Sequence, residues 1–187
     1  MEPRVPPGQR VLGRPPVLHI GPTPTFDERT WDLRVFGLVK RPRTCTWKEL
    51  LSMPAVDTIS DFHCVTTWSV LNVRWVGVRL KDVLVASEPT TEARFIIAHC
   101  EQGYTTNLPI EDANRNDVLL AYGTGSGFLE PEHGFPLRLV VPHRYAWKSA
   151  KWVRGIELTA EDRPGFWEAR GYHNEGDPWK EERYSER

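Results

Sequence analysis

The chain has 187 residues, 40% of them hydrophobic and 26% charged, with a formal net charge of −1. That length supports one domain with a real core, and the balanced charge offers no basic field for nucleic acid or an anionic membrane surface. No apolar run approaches the roughly 18–20 residues of a membrane helix, and the opening stretch lacks a continuous apolar core and a twin-arginine pair, so a soluble, cytoplasmic protein is expected.

In chain order, residues 1–24 hold seven prolines and read as an extended arm laid over a surface rather than as an element. "WDLRVFGLV" (31–39) alternates large apolar with polar residues, the pattern of a half-buried strand. "TWKELLSMP" (46–54) has a threonine cap, an acid in its first turn and a proline stop, which predicts a short helix. "HCVTTWSVLNVRWVGVRL" (63–80) reads as strand, loop, strand, with its period-two stretches broken by Gly77.

A second short helix is predicted over 81–87, a buried strand over 93–100, and a helical turn followed by a strand over 108–123. Further strands fall at 135–142 and 150–159. The charged tail carries Phe166, Trp167, Tyr172 and Trp179, more aromatic surface than solvent favours, so it is expected to pack back on the body. The fold class is therefore α+β, strand-rich mixed sheets with short helices, divided into an arm (1–24), a domain (25–160) and a packed tail (161–187).

Cys45, Cys64 and Cys100 are the only cysteines, an odd and sparse set that argues against a disulfide framework and fits a reducing compartment. Eight tryptophans suggest deep burial or a walled ligand site. Cys64, in "DFHCVTTWS" (61–69), has several readings. It is a small buried hydrophobe, or a metal ligand. Zinc drawn from His63, Cys64, His99 and Cys100 has the right ligand types, but adjacent strand residues face opposite ways, so each pair offers one ligand inward. A phosphatase nucleophile fails, because the sixth residue after each candidate cysteine is Val70 or Thr106 rather than a phosphate-clamping arginine.

A second stretch, "HGFPLRLVVPHRYAWKSAKWV" (133–153), gathers His133, Arg138, His143, Arg144, Lys148 and Lys151. Arg138 interrupts an apolar strand, where an unpaired guanidinium is costly, so an anionic group should meet it. The "KSAK" turn offers a hydroxyl, backbone N–H groups and two ammonium groups, a seat for phosphate; Lys148 alone reads equally as a solvated surface lysine.

Together "WDLRVFGLV", "DFHCVTTWSV", "GYTTNLPIED", "HGFPLRLVVP" and "KSAKWV" resemble the molybdopterin-binding domain of the sulfite oxidase family, which includes the catalytic subunit of the bacterial periplasmic methionine sulfoxide reductase. The resemblance runs over roughly residues 17–160 in family order, and the tail "PGFWEARGYHNEGDPWKEERY" is similar to the ending of short bacterial members. It implies a sulfite-oxidase-type fold and a molybdenum-molybdopterin cofactor whose metal is bound by the Cys64 thiolate. It further implies that Arg138 and His133 contact the cofactor pocket. Ser149, Ala150 and Lys151 would hold the terminal phosphate, and Tyr104 would stand beside the metal oxo group. His99 or Cys100 falls where a further cofactor contact is expected, and His19 in the arm is another candidate.

Departures from the family pattern are equally specific. Against that pattern the protein is expected to hold no haem domain, no C-terminal sandwich through which larger members dimerise, and no twin-arginine export signal. The sulfite-binding arginine cluster is incomplete, with Arg138 and Arg74 as candidates. The resemblance implies a mononuclear molybdenum oxidoreductase transferring an oxygen atom to or from a small oxo-anion or an S- or N-oxide, served by a separate electron-transfer partner. The alternatives are a non-catalytic molybdopterin-binding or storage module, and a zinc protein using the His–Cys pairs.

Overall fold

The computed structural model describes residues 4–185; residues 1–3 of the expected arm and 186–187 of the expected tail lie outside them. In chain order the strands are β1 (Arg10–Val11), β2 (Asp32–Gly37), β3 (Arg43–Thr46), β4 (Val56–Cys64), β5 (Trp68–Arg79) and β6 (Phe95–Cys100). They continue with β7 (Thr105–Pro109), β8 (Leu119–Thr124), β9 (Gly127–Phe128), β10 (Arg138–Val140) and β11 (Val153–Thr159). Three short helices intervene, α1 (Trp47–Ser52), α2 (Leu80–Val85) and α3 (Ile110–Ala113).

Two sheets result. One runs β1-β5-β8-β10, with β4 on the other side of β5 and β9 on β8; the second runs β3-β2-β11-β6-β7. Only β2–β11 and β1–β5 pair in parallel among the described strands. The alternation read in β2 buries Leu33 and Val35 while their neighbours face outward. α1 begins as its sequence predicts. The Thr46 hydroxyl accepts from the Glu49 N–H, and the Glu49 carboxylate accepts from the Thr46 N–H, a reciprocal cap.

The expected break at Gly77 is corrected. β5 runs straight through it with a bulge, and the reversal lies at 65–67. Gly77 is needed for close approach, because a Cβ there would overlap the Leu120 carbonyl oxygen on β8. The arm also differs from expectation, since Arg10 and Val11 form a true strand beside Trp68 and Ser69. In the tail, the Phe166 N–H donates to the Thr105 carbonyl, and Trp167 and Tyr172 pack, partly buried, against a second core around Phe62, Cys64 and Trp147.

Between the sheets lies the main core, and the second core fills the end where β4, the tail and the loop after β10 converge. The chain crosses from one sheet to the other through that loop, residues 141–152. Gly77→Ala should lower stability by about 1–3 kcal/mol through overpacking of the β5–β8 contact, read as a lower urea midpoint with an unchanged m-value.

Candidate active site

A cavity of about 340 Å³ opens where the two sheets meet the loop after β10. Cys64, at the last position of β4, contributes one wall; Arg138, at the first of β10, and Tyr104, just before β7, contribute others. His133, Ser149, Ala150 and Lys151 also line it, and His19 reaches it from the arm with its ring 5.2 Å from that of Trp152. The structure thus brings together eight of the residues expected at the site, drawn from the first sheet, the connections that precede β7 and flank β10, and the arm.

Cys64 is held in a tight hairpin. Its carbonyl accepts from the Thr67 N–H at 3.1 Å, and its Sγ lies 3.2 Å from the Thr66 hydroxyl. Burial pushes the thiol's pKa up, while the Thr66 hydroxyl and the charge of Arg138 pull it down. A bound soft metal would supply the ionisation that burial opposes.

Arg138 is 7% exposed and meets no carboxylate among the described residues, so the anionic group expected beside it would have to come from a ligand. Its Nη1 donates to the His133 carbonyl at 2.9 Å, and its guanidinium lies 4.9 Å from the Phe62 ring centre and 5.8 Å from that of Trp75. Burial lowers its pKa to about 10, which leaves it charged at neutral pH. Across an isolated bridge from Arg138 sits Lys151, whose ammonium donates to the Glu132 carbonyl at 2.8 Å. Burial, reinforced by the charge of Arg138, lowers the Lys151 pKa to about 7. Tyr104 donates its hydroxyl proton to the Trp147 carbonyl at 2.5 Å, and burial keeps that phenol neutral.

Several expectations are corrected. Lys148 is not a solvated lysine. Its ammonium is buried, 2.6 Å from the Glu168 carboxylate, and donates to the carbonyl and Oδ1 of Asn107. The Ser149 oxygen accepts from the Val141 N–H at 2.9 Å, and its O–H proton is the group it can offer an anionic ligand. His99 and Cys100 do not line the cavity: His99 pairs with Glu157 at 2.8 Å and packs on Phe36, and Cys100 turns into the main core. Arg74 is bound to Asp57 on the outer surface of the first sheet. His143 and Arg144 flank Asp112, away from the cavity.

Zinc fails for the reason of strand alternation. His63 turns away from Cys64 toward the Ser69 hydroxyl at 2.8 Å and the Trp179 ring, and no group of three or more His, Cys, Asp or Glu able to hold a metal occurs among the described residues. Sequence reasoning missed the aromatic walls, Phe62, Trp68, Trp147, Trp167 and Tyr172. Their only sequence signals were the high tryptophan count and the aromatic tail.

The cavity walls carry buried donors that lack a partner among the described residues, Arg138 Nε and Trp68 Nε1. With a soft sulfur, a charged guanidinium and a lysine short of a counter-charge, they fit a large polar ligand that carries an anionic end and a metal. These features define a mixed-sheet protein with an internal cofactor cavity.

Residues 20–167 match the family model of the oxidoreductase molybdopterin binding domain, and the chain belongs to that family. Molybdenum-molybdopterin is its cofactor. Among its relatives, the "uncharacterized oxidoreductase YuiH" of Bacillus subtilis is 48% identical over 183 residues, covering 97% of this chain and 92% of the relative. The protein-methionine-sulfoxide reductase catalytic subunit MsrP of Campylobacter jejuni is 31% identical over 161 residues, covering 77% of this chain and 54% of the relative. The crystal structure of the sulfane dehydrogenase SoxCD from Paracoccus pantotrophus shares the fold, with a TM-score of 0.71 and 24% identity over 80% of this chain and 42% of that one. The chain therefore spans about half the length of these last two proteins.

The lowered pKa of Lys151 has a testable consequence. Between about 7, its folded value, and 10.5, its ordinary value, the unfolded chain holds a proton that the folded apo-protein lacks. Stability contributed by this group therefore rises with pH across that window. Urea titrations of the apo-protein should show the stability of wild type relative to Lys151→Met increasing from pH 7 to pH 10. In the same titrations, Glu168→Gln should cost about 3–5 kcal/mol by stranding the buried Lys148 charge.

Proposed function

We propose that this chain is a mononuclear molybdenum oxidoreductase that moves an oxygen atom to or from a small oxo-anion or an S- or N-oxide. The observation that carries the proposal is the sharing of one cavity by the Cys64 sulfur, the buried Arg138 guanidinium and the Lys151 turn. When bound, the cofactor supplies a two-electron redox centre at which an oxygen atom leaves or arrives.

The chain's own residues do the rest. Cys64 Sγ would hold the metal, and Lys151 with the Ser149 proton would bind the anionic end of the cofactor. Arg138, charged and largely withdrawn from water, would orient a substrate oxygen; the apolar walls strengthen its field by excluding solvent. Tyr104 keeps a neutral O–H beside it, and turning that proton from the Trp147 carbonyl to a substrate oxygen exchanges one hydrogen bond for another. Electrons would pass to a separate partner.

Metal analysis with identification of the released pterin tests the assignment directly. Cys64→Ser should keep the fold and abolish turnover with a reducible dye; wild-type rates in that variant would remove Cys64 from the metal. Bound pterin without redox-active molybdenum would favour the storage alternative. Lys151→Ala should lower cofactor occupancy more than apo-protein stability, and is a cleaner probe than Ser149→Ala, which strands the Val141 N–H at a cost of about 1–3 kcal/mol.

A further inference from the structure

The hairpin that presents Cys64 is gripped by both ends of the chain. From the arm, Gln9 Nε2 donates to the Cys64 carbonyl at 2.9 Å, and the Arg10 N–H donates to the Thr67 carbonyl at 3.0 Å. From the tail, Arg183 Nη1 donates to the Val65 carbonyl at 2.6 Å, while its Nη2 donates to the Pro7 carbonyl at 3.3 Å. The same guanidinium lies 5.1 Å from the Tyr145 ring centre, with 15% of the side chain exposed. Arg183 therefore ties arm, tail and hairpin into one unit. Gln9 and Arg183 both lie outside residues 20–167, which match the family model.

The turn needs such a grip. Residues 65–67 form a three-residue hairpin loop whose last member, Thr67, has φ 69°. This left-handed conformation is unfavourable for a β-branched residue, and it persists where surrounding contacts over-determine it. Left to itself, the turn would relax, and the sulfur on Cys64, the residue leading into it, would move with it. Anchored carbonyls on residues 64, 65 and 67 remove that freedom.

We infer that Gln9 and Arg183 are positioning residues for the Cys64 sulfur, holding the hairpin carbonyls so that Sγ keeps one direction into the cavity. The inference rests on Cys64 being the metal ligand. The direction of a ligating sulfur governs its overlap with the metal, and outer contacts that orient a ligand tune the centre they never touch.

The test uses the full chain, cofactor-loaded and apo, as wild type, Gln9→Ala, Arg183→Met, the double variant and Arg183→Lys. In loaded protein the readouts are the thiolate-to-molybdenum absorption band and the paramagnetic resonance of the one-electron-reduced metal. In apo-protein the readout is the alkylation rate of Cys64 by iodoacetamide, assigned by peptide mass. The double variant should shift the band and resonance and speed alkylation roughly two- to tenfold, the population change that losing a hydrogen bond permits. Arg183→Lys, which keeps one donor, should fall between it and wild type.

Wild-type spectra and alkylation in a folded double variant would reduce these contacts to a structural role and overturn the inference. If the double variant does not fold, Gln9→Ala decides by the same readouts. Loaded wild-type protein whose spectrum lacks any cysteine-sulfur contribution would overturn the inference together with the Cys64 assignment, and the absence would be visible before any variant is compared.

Discussion

Inside the protein the Lys148 ammonium and the Glu168 carboxylate meet at 2.6 Å, each side chain 1% exposed. The same carboxylate oxygen accepts from the Trp147 indole and the Thr106 hydroxyl, and the ammonium reaches Asn107 on β7. One charge pair therefore joins the crossing loop between the sheets, a strand of the second sheet, and the tail. Removing two charges from water offsets much of their attraction, so such a pair contributes little net stability. What it supplies is a specific tie: it fastens the loop to β7 and the tail directly beside residues 149–151, which line the cavity.

The site's electrostatics follow from which cations are left without a carboxylate. Lys148 has Glu168, whereas Arg138 has a carbonyl and two rings, and Lys151 has a carbonyl and the nearby positive charge of Arg138. Arg138, charged, and Lys151, which an arriving anion would hold protonated, face a cavity whose one acidic lining residue among the described residues, Glu101, is paired with Arg154, and together they make a receptor for anionic or strongly dipolar groups. The low polarity of the walls makes each contact stronger than it would be in water.

Local signals were legible wherever a physical cause acts locally. The alternation of β2 and the capped start of α1 follow from nearest-neighbour chemistry, and the structure reproduces them. Cys64 and Arg138 drew notice because a cysteine and a charge stand out against apolar strands, and Lys151 because the "KSAK" turn offers donors to an anion; the structure sets all three on one cavity. What escaped depends on contacts distant in sequence. Lys148 looked solvated because its partner lies 20 residues further on, in a segment with no periodicity to place it. His99 and Cys100 sat near the right region, but β6 points His99 at Glu157 and Cys100 into the core. Gly77 read as a break because glycine signals a turn, although here it serves close strand packing.

The order in which the chain is made gives the tail's role a further meaning. Arg183 is synthesised after every residue lining the cavity, and Glu168 after all of them but Tyr172. A growing chain emerging from the ribosome can pair its strands early and set the arm against the hairpin, yet the hairpin lacks its Arg183 contact and the crossing loop lacks Glu168 until the tail segment is translated. Maturation of the pocket is thus timed to the completion of this segment, and a nascent chain that stalls before it presents an unfinished vessel.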